Sequence, residues 1–110
     1  MLKKLLLLSC FLPTLAWAEG DALRGKTVAM VRCGPCHHLN TGFIKVGPTL
    51  KNIYGKKPTI QGVSFDVWDE AALTAWLINP RAIKANTRMR LPYLSTHDRN
   101  DIIAWLKSKQ

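Results

Sequence analysis

The sequence predicts a small, single-domain, all-α fold with three main helices and one or two short ones. Apolar residues recur at helical spacing in three segments, and strand-like alternation of polar and apolar residues is nearly absent. Residues that commonly cap helices stand before the first and the last of those segments. The 110 residues allow one domain, and an apolar content of 47% excludes a disordered chain.

The first main helix is predicted over residues 22–32. Asp21 can cap its N-terminus, and apolar side chains, Met30 among them, recur along it at helical spacing. We therefore expect Met30 to lie in the core. Loop-forming residues follow, and they are interrupted by a predicted short helix over residues 49–54, which Gly55 ends.

The second main helix is predicted over residues 69–78 and is ended by Asn79-Pro80, because proline lacks the N–H that a helix interior needs. Its apolar stripe consists of Ala72, Leu73, Trp76 and Leu77. Residues 81–91 are predicted to be irregular and basic. The last helix follows a capping sequence at residues 95–98. Its predicted inner face consists of Ile102, Ile103, Trp105 and Leu106.

Residues 1–18 have the features of a secretory signal peptide, which leaves residues 19–110 as the mature domain. Lys3 and Lys4 precede an apolar stretch that ends in an A-x-A cleavage pattern. Two alternatives stay open: a short buried helix, and lipoprotein processing at Cys10. No apolar run reaches the roughly 18–20 residues of a permanent membrane span, so no transmembrane span is expected in the mature chain.

Export places the protein in the periplasm if the host is a Gram-negative bacterium. The chain has 16 Lys and Arg against 7 Asp and Glu, a net charge of +9, and loss of the two lysines of the signal leaves +7. This sign of charge favours acidic partners. A basic surface can also bind nucleic acid, but export argues against that role, so no nucleic-acid partner is expected.

The mature sequence keeps two cysteines, in the segment Cys33-Gly34-Pro35-Cys36-His37. Cys-x-x-Cys-His is the attachment pattern of c-type haem. Residues three apart lie on one face of a helical turn, so the two thiols can each join one of two neighbouring vinyl groups of a porphyrin. The imidazole of His37 can then reach the iron from one side.

Three other interpretations of the cysteines stay open. Cys-Gly-Pro-Cys is also a thioredoxin-type redox motif, but that motif follows a strand, and no strand is predicted here. A zinc site needs four ligands, and the available ones, the two cysteines with His37 or His38 and with His97, fit no common zinc spacing. A structural disulfide would close a very short loop and stabilise the fold little.

A six-coordinate haem iron needs a second axial ligand. Met89 is the only methionine after the motif, and it lies in a basic, non-helical segment where methionine is an unusual choice for core packing. We therefore predict Met89 as the second ligand, which raises the reduction potential relative to a second histidine. His97, at a helix start, and His38, beside His37, are predicted to lie at the surface.

On these residues the chain resembles the small class I cytochromes c over essentially its whole mature length. Gly20 and Asp21 match the residues with which the family's first helix opens. The 13 residues from Gly20 to Cys33 equal the family's spacing between that glycine and the first haem cysteine. Gly25 stands where the first and last helices of the family cross, with Trp105 as the aromatic partner. The resemblance implies a class I cytochrome c fold packed around one covalently attached haem c.

The same resemblance implies further contacts with the haem. The carbonyl of Pro48 would accept a hydrogen bond from the ring of His37. Leu50 would pack on the haem, and Trp68 would donate its indole N–H to a haem propionate. Trp76 stands where mitochondrial-type members have a tyrosine near the methionine sulfur.

The motif and the resemblance together imply a periplasmic monohaem electron carrier with His/Met ligation, not an enzyme. The expected partners are acidic redox proteins (an oxidase, a reductase or a dehydrogenase), and a monomer is expected. The cations expected around the exposed haem edge are Lys26, Lys45, Lys84, Arg88 and Arg90. Two alternatives stay open: a haem enzyme or gas sensor in which Met89 leaves the iron free, and a dedicated electron-accepting subunit of one dehydrogenase.

Overall fold

A computed structural model describes residues 20–109. The predicted signal peptide, residues 1–18, and the alternative lipoprotein cysteine, Cys10, lie outside the described residues. Within residues 20–109 the chain forms helices and no strands, which confirms the all-α prediction. The helices are α1 (Ala22–Arg32), α2 (Glu70–Ile78), α3 (Pro80–Ile83) and α4 (Thr96–Ser108). In the described part of the chain, no helix is long and apolar enough to cross a membrane.

Side chains that precede the three longer helices fix where those helices begin. The caps are Asp21, Asp69 and Ser95, and each accepts a hydrogen bond from the backbone N–H three residues further on, at 2.8–3.0 Å. Such a bond satisfies one of the first N–H groups of a helix, which have no partner inside the helix. The predicted starts of α1 and α4 are confirmed, and α2 begins one residue later than predicted, because Asp69 is its cap.

The core forms where α1 crosses α4, with α2 packed against it. At the crossing, a Cβ added to Gly25 would overlap the backbone carbonyl of Asp101, so only glycine lets the two helices approach this closely. Ala29 is completely buried beside it, and Trp105 is buried on the opposite helix. The crossing that the resemblance implied is therefore present. The predicted apolar stripes of α2 and α4 are buried as well.

The predicted place of Met30 is wrong, because its side chain is 57% exposed. Helix α1 turns Gly25 and Ala29 toward α4, whereas Leu23, Met30 and Val31 are exposed. The apolar periodicity of α1 indicated a helix correctly but indicated the wrong face.

The predicted short helix over residues 49–54 is also wrong, because these residues form turns. Asn52 has a φ of 56°, a left-handed conformation that an α-helix cannot include. The short helix lies instead at Pro80–Ile83, inside the region expected to be irregular. There the side chain of Asn79 accepts the backbone N–H of Arg81, and proline fits the first position of a helix.

One buried carboxylate, Asp101, joins the two ends of the described chain. It is 1% exposed, accepts the backbone N–H of Asp21 at 2.8 Å and pairs with Arg24 at 2.7 Å and with the exposed His97 at 3.2 Å. Burial acts to raise the pKa of Asp101. The hydrogen bonds from Arg24 and Asp21 and the charge of His97 outweigh burial, so the pKa lies below its ordinary 3.8.

The substitution Asp101→Asn is expected to lower the free energy of unfolding at neutral pH by about 1–3 kcal/mol, the range for a lost charge-assisted hydrogen bond. Because the folded pKa is lowered, this stability is present above the ordinary pKa and is lost as the pH falls through the folded pKa. Urea unfolding followed by circular dichroism from neutral to acid pH measures both effects. The free energy of unfolding of the variant should depend less steeply on pH in the acid range than that of the parent.

The exposed residue Asp66 offers a matched control for this test. The substitution Asp66→Asn removes the same charge and should change stability by less than about 0.5 kcal/mol. Equal stability of Asp101→Asn and Asp66→Asn at neutral pH would contradict the role given to the buried carboxylate.

Candidate functional site

The helices and the loops between them surround a cavity of about 520 Å³. This volume is within the range of cofactor and ligand sites. All seven predicted site residues line it: Cys33, Cys36, His37, Pro48, Leu50, Trp68 and Met89. The fold therefore brings residues from the whole length of the described chain to one place.

The two cysteines lie on a turn that continues α1. The N–H of Cys33 donates to the carbonyl of Ala29 at 2.7 Å, and the N–H of Cys36 donates to the carbonyl of Cys33 at 3.1 Å. Both are free thiols, one buried and one exposed. Burial, with a smaller effect of Cys36, raises the pKa of the Cys33 thiol to about 11, so this thiol is protonated at neutral pH.

The backbone around Pro48 holds the ring of His37. The Nδ1 atom of His37 lies 2.6 Å from the carbonyl oxygen of Pro48. A carbonyl can only accept, so Nδ1 is the donor, and in the neutral imidazole Nε2 is then the nitrogen with the lone pair. A Cβ at Gly47 would overlap the imidazole, so the chain can approach the ring only as glycine. These two contacts fix the orientation of the ring, so that Nε2 is the nitrogen available to bind a metal. The role of Gly47 was not predicted from the sequence.

Two hydrogen bonds position Met89. Its backbone N–H donates to Oγ1 of Thr87 at 3.3 Å, and its Sδ accepts a hydrogen bond from Nε1 of Trp76 at 3.2 Å. Trp76 belongs to the buried stripe of α2, so the donor itself is fixed by packing. The loop is anchored further by Nζ of Lys84, which donates to the carbonyl of Gln61 at 2.9 Å.

Trp68 forms a wall of the cavity just before α2. Two backbone hydrogen bonds of 2.8 Å, one with Gly55 and one with Lys56, fix its position. Its ring packs edge-on against Trp76, with 5.6 Å between centroids, and lies 4.7 Å from the ring of Phe65. These contacts make one continuous aromatic surface that ends at the sulfur of Met89.

The remaining walls of the cavity are mostly apolar. They include Ile53, Ile60, Leu73, Trp76, Leu77, Leu91, Ile102 and Leu106. The helical members of this set were expected to belong to ordinary core packing, because an inward-facing apolar stripe has the same pattern whether it packs on protein or on a cofactor. An apolar lining excludes water and strengthens polar interactions inside the cavity.

The charged residues of the cavity are all cations: Arg32, Arg88 and Arg90. Two of them were expected near the site, and Arg32 was missed. Lys45 lies close by, since its Nζ donates to the carbonyl of Gly34 at 2.9 Å. Lys26 and Lys84 do not line the cavity.

The described residues bear on the other interpretations of the cysteines. Residues 20–109 contain no strand, so the βαβ context of a thioredoxin motif is not formed there. Within the same span, no three His, Cys, Asp or Glu side chains lie close enough to share a metal ion, which argues against zinc. The two cysteines are not bonded to each other.

The donor set of the cavity fits a haem. One imidazole nitrogen and one thioether sulfur form a recurring axial ligand pair of haem iron. In this chain His37 and Met89 supply these atoms, both lie on one apolar cavity, and two thiols on a single turn stand beside them.

Comparison with known proteins agrees with this geometry. The sequence model of the family described as "Cytochrome c" matches residues 22–110. The chain is 31% identical to a cytochrome c of Theileria parva over 105 residues, covering 86% of this chain and 91% of that protein. It is 33% identical to a cytochrome c of Euglena viridis, with 81% and 97% covered, and 32% identical to a cytochrome c2 of Pararhodospirillum photometricum, with 79% and 96% covered.

Proposed function

Because the chain belongs to the cytochrome c family and is a haem-based electron carrier with one covalently attached haem c, we propose that it works in the periplasm with His37 and Met89 as its axial ligands. When bound, the haem supplies an iron that alternates between Fe(III) and Fe(II) and so holds one electron at a time. One observation carries the proposal: an imidazole held by Pro48 and a thioether held by Trp76 line the same cavity.

In this proposal Cys33 and Cys36 hold the cofactor through two thioether bonds, one to each vinyl group. The helical turn that carries them fixes both sulfurs relative to His37, because the N–H of His37 donates to the carbonyl of Cys33 at 2.9 Å. Pro48 then does two things for the imidazole. Its carbonyl fixes the orientation of the ring, and the hydrogen bond makes Nε2 a stronger electron donor.

Trp76 acts on the second proposed ligand, Met89. The indole N–H draws electron density from the sulfur of Met89, which favours the reduced state of the metal that the sulfur binds. The indole nitrogen can only donate a hydrogen bond, so in this contact the sulfur of Met89 is always the acceptor. If His37 and Met89 both bind the iron, no coordination position would be left for a substrate, and this separates an electron carrier from a haem enzyme or gas sensor.

Two further roles complete the proposed site. Trp68 and Leu50 line the cavity. When the haem is bound, Trp68 would donate its indole N–H to a propionate, and Leu50 would pack on the porphyrin. The arginines that line the cavity steer acidic redox partners, such as an oxidase, a reductase or a dehydrogenase, to this face. The features of residues 1–18 support export, and we propose that the mature protein is a monomer.

Production of the full chain in cells that attach haem c tests the proposed function. We expect a mature protein that begins at Glu19, has the mass of one added haem, shows a reversible one-electron couple and does not bind carbon monoxide when reduced. The substitution Cys36→Ala removes one attachment point and is expected to weaken or abolish covalent retention of the haem. Mass spectrometry and the visible spectrum of the purified protein measure these properties.

The substitution Pro35→Ala is the matched control, because Pro35 lies between the cysteines but does not line the cavity. It should leave the yield of holoprotein unchanged. A normal yield from Cys36→Ala, or a parent mass without a tetrapyrrole, would overturn the attachment. Carbon monoxide binding by the reduced parent would instead favour an open iron, as in an enzyme or sensor.

A further inference from the structure

The loop between the cysteine turn and Pro48 exposes an apolar surface that the proposed function does not use. Phe43 is 73% exposed, Ile44 78% and Val46 79%. Single exposed apolar residues are common on protein surfaces, but three within four consecutive positions form a patch. We call residues 43–46 the apolar loop.

Hydrogen bonds at its base hold the apolar loop in place. The N–H of Gly47 donates to the carbonyl of Cys36 at 2.7 Å, and Nζ of Lys45 donates to the carbonyl of Gly34 at 2.9 Å. The hydroxyl of Thr49 closes the loop by donating to the backbone on its other side. A loop fixed in this way keeps its apolar side chains outside, so their exposure belongs to the native fold.

The apolar loop reaches the wall of the cavity at one end. Val46 and Gly47 line the cavity, whereas Phe43 and Ile44 do not. A cofactor that fills the cavity therefore leaves Phe43 and Ile44 exposed. Any molecule that covers Phe43 and Ile44 lies near the cofactor, because hydrogen bonds join the loop to the turn that carries the cysteines.

The charged side chains that line the cavity and the charged side chain of the apolar loop have a single sign. The nearby cations are Arg32, Lys45, Arg88 and Arg90. No acidic residue occurs at positions 22–65 or 71–97. Asp98 and Asp101, at the crossing of α1 and α4, are already paired with Arg24. The apolar loop therefore lies in a basic surface that complements an acidic one.

We propose that the apolar loop docks the redox partner, a protein whose electron-exchange site lies in an apolar patch edged by carboxylates; the inference rests on the proposed function. Phe43 and Ile44 are buried in that patch, and the cations meet the carboxylates. One electron then passes between the two metal centres, so that one is oxidised and the other reduced, and no bond or proton is transferred. An apolar centre with a charged rim is the usual composition of such an interface.

Two other occupants of this surface fit less well. A second copy of the chain would bring the same cations face to face, and like charges oppose association. An anionic lipid surface offers apolar and acidic groups but no centre that accepts an electron beside the cavity. These occupants are outcomes that the experiment distinguishes.

Stopped-flow oxidation of the reduced holoprotein by a plastocyanin, an acidic copper carrier, tests the docking role. The double substitution Phe43→Ser/Ile44→Ser is expected to lower the second-order rate constant about tenfold. It should leave the dependence on ionic strength, the visible spectrum and the midpoint potential unchanged, because no charge or ligand is altered. The control is Leu23→Ser, which removes a residue that is 79% exposed and does not line the cavity.

A parental rate for the double variant overturns the docking role and leaves the proposed function standing. Parental binding to vesicles of phosphatidylglycerol and phosphatidylcholine that the double substitution abolishes, with an unchanged rate toward plastocyanin, overturns it in favour of a lipid surface. A parental dimer in sedimentation that the double variant dissociates overturns it in favour of a second copy. A parent that transfers no electrons to plastocyanin or to hexacyanoferrate overturns the proposed function itself.

Discussion

The substitution Met89→Ala is expected to leave the haem attached, to lower the reduction potential and to open the iron to external ligands. The cysteine turn and His37 do not depend on Met89, so attachment persists. Loss of the thioether removes the ligand that favours Fe(II). We expect the potential to fall by more than ~59 mV, which corresponds to a tenfold change in a one-electron equilibrium. Redox titration and carbon monoxide binding by the reduced protein measure the two effects.

The substitution Trp76→Phe distinguishes the effect of the hydrogen bond on the reduction potential from the effect of the ligand itself. Phenylalanine keeps an aromatic ring in the buried stripe of α2 but cannot donate to the sulfur of Met89. The potential should therefore fall by less than in Met89→Ala, and the reduced protein should still not bind carbon monoxide. If Met89→Ala keeps the parental spectrum and remains closed to carbon monoxide, Met89 is not the ligand, and the open-site interpretation gains support.

The candidate site was predictable from the sequence where its chemistry is local. The spacing of Cys33, Cys36 and His37 depends only on the geometry of one turn, and Met89 was singled out because it is the only methionine after that turn. The resemblance implied two of the contacts that orient these ligands, the carbonyl of Pro48 against His37 and a side chain at position 76 near the sulfur of Met89, and the structure contains both. The place of Gly47 against the imidazole was not predicted, because it follows from the path of the loop.

The fold shows the same division between local and distant causes. Helix starts were predicted because a cap acts over three residues, as at Asp21. The burial of Asp101 was not predicted, because its partners Asp21 and Arg24 are 80 and 77 residues away in the chain. The short helix expected at residues 49–54 failed because periodicity does not report a positive φ, which Asn52 adopts.

The close crossing of α1 and α4 makes Gly25 the position where one methyl group should cost the most. A Cβ there would overlap the carbonyl of Asp101, which is backbone and cannot rotate away. The two helices must then separate, and separation exposes side chains buried at the crossing, such as Ala29 and Trp105. Alanine favours a helix over glycine by only about 1 kcal/mol, so the gain in propensity does not compensate for overlap in the core.

We therefore expect Gly25→Ala to lower the free energy of unfolding of the holoprotein by about 3 kcal/mol or more, measured by denaturant unfolding. The control is Gly42→Ala, because a Cβ at Gly42 meets nothing within 4 Å, and this variant should stay within about 0.5 kcal/mol of the parent. The same overlap should strain the pairing of Asp101 with Arg24, so Gly25→Ala should also weaken the acid dependence that this carboxylate provides. Equal stability of the two alanine variants would mean that the helices can separate at no cost, and the crossing would then not be what holds the ends of the chain together.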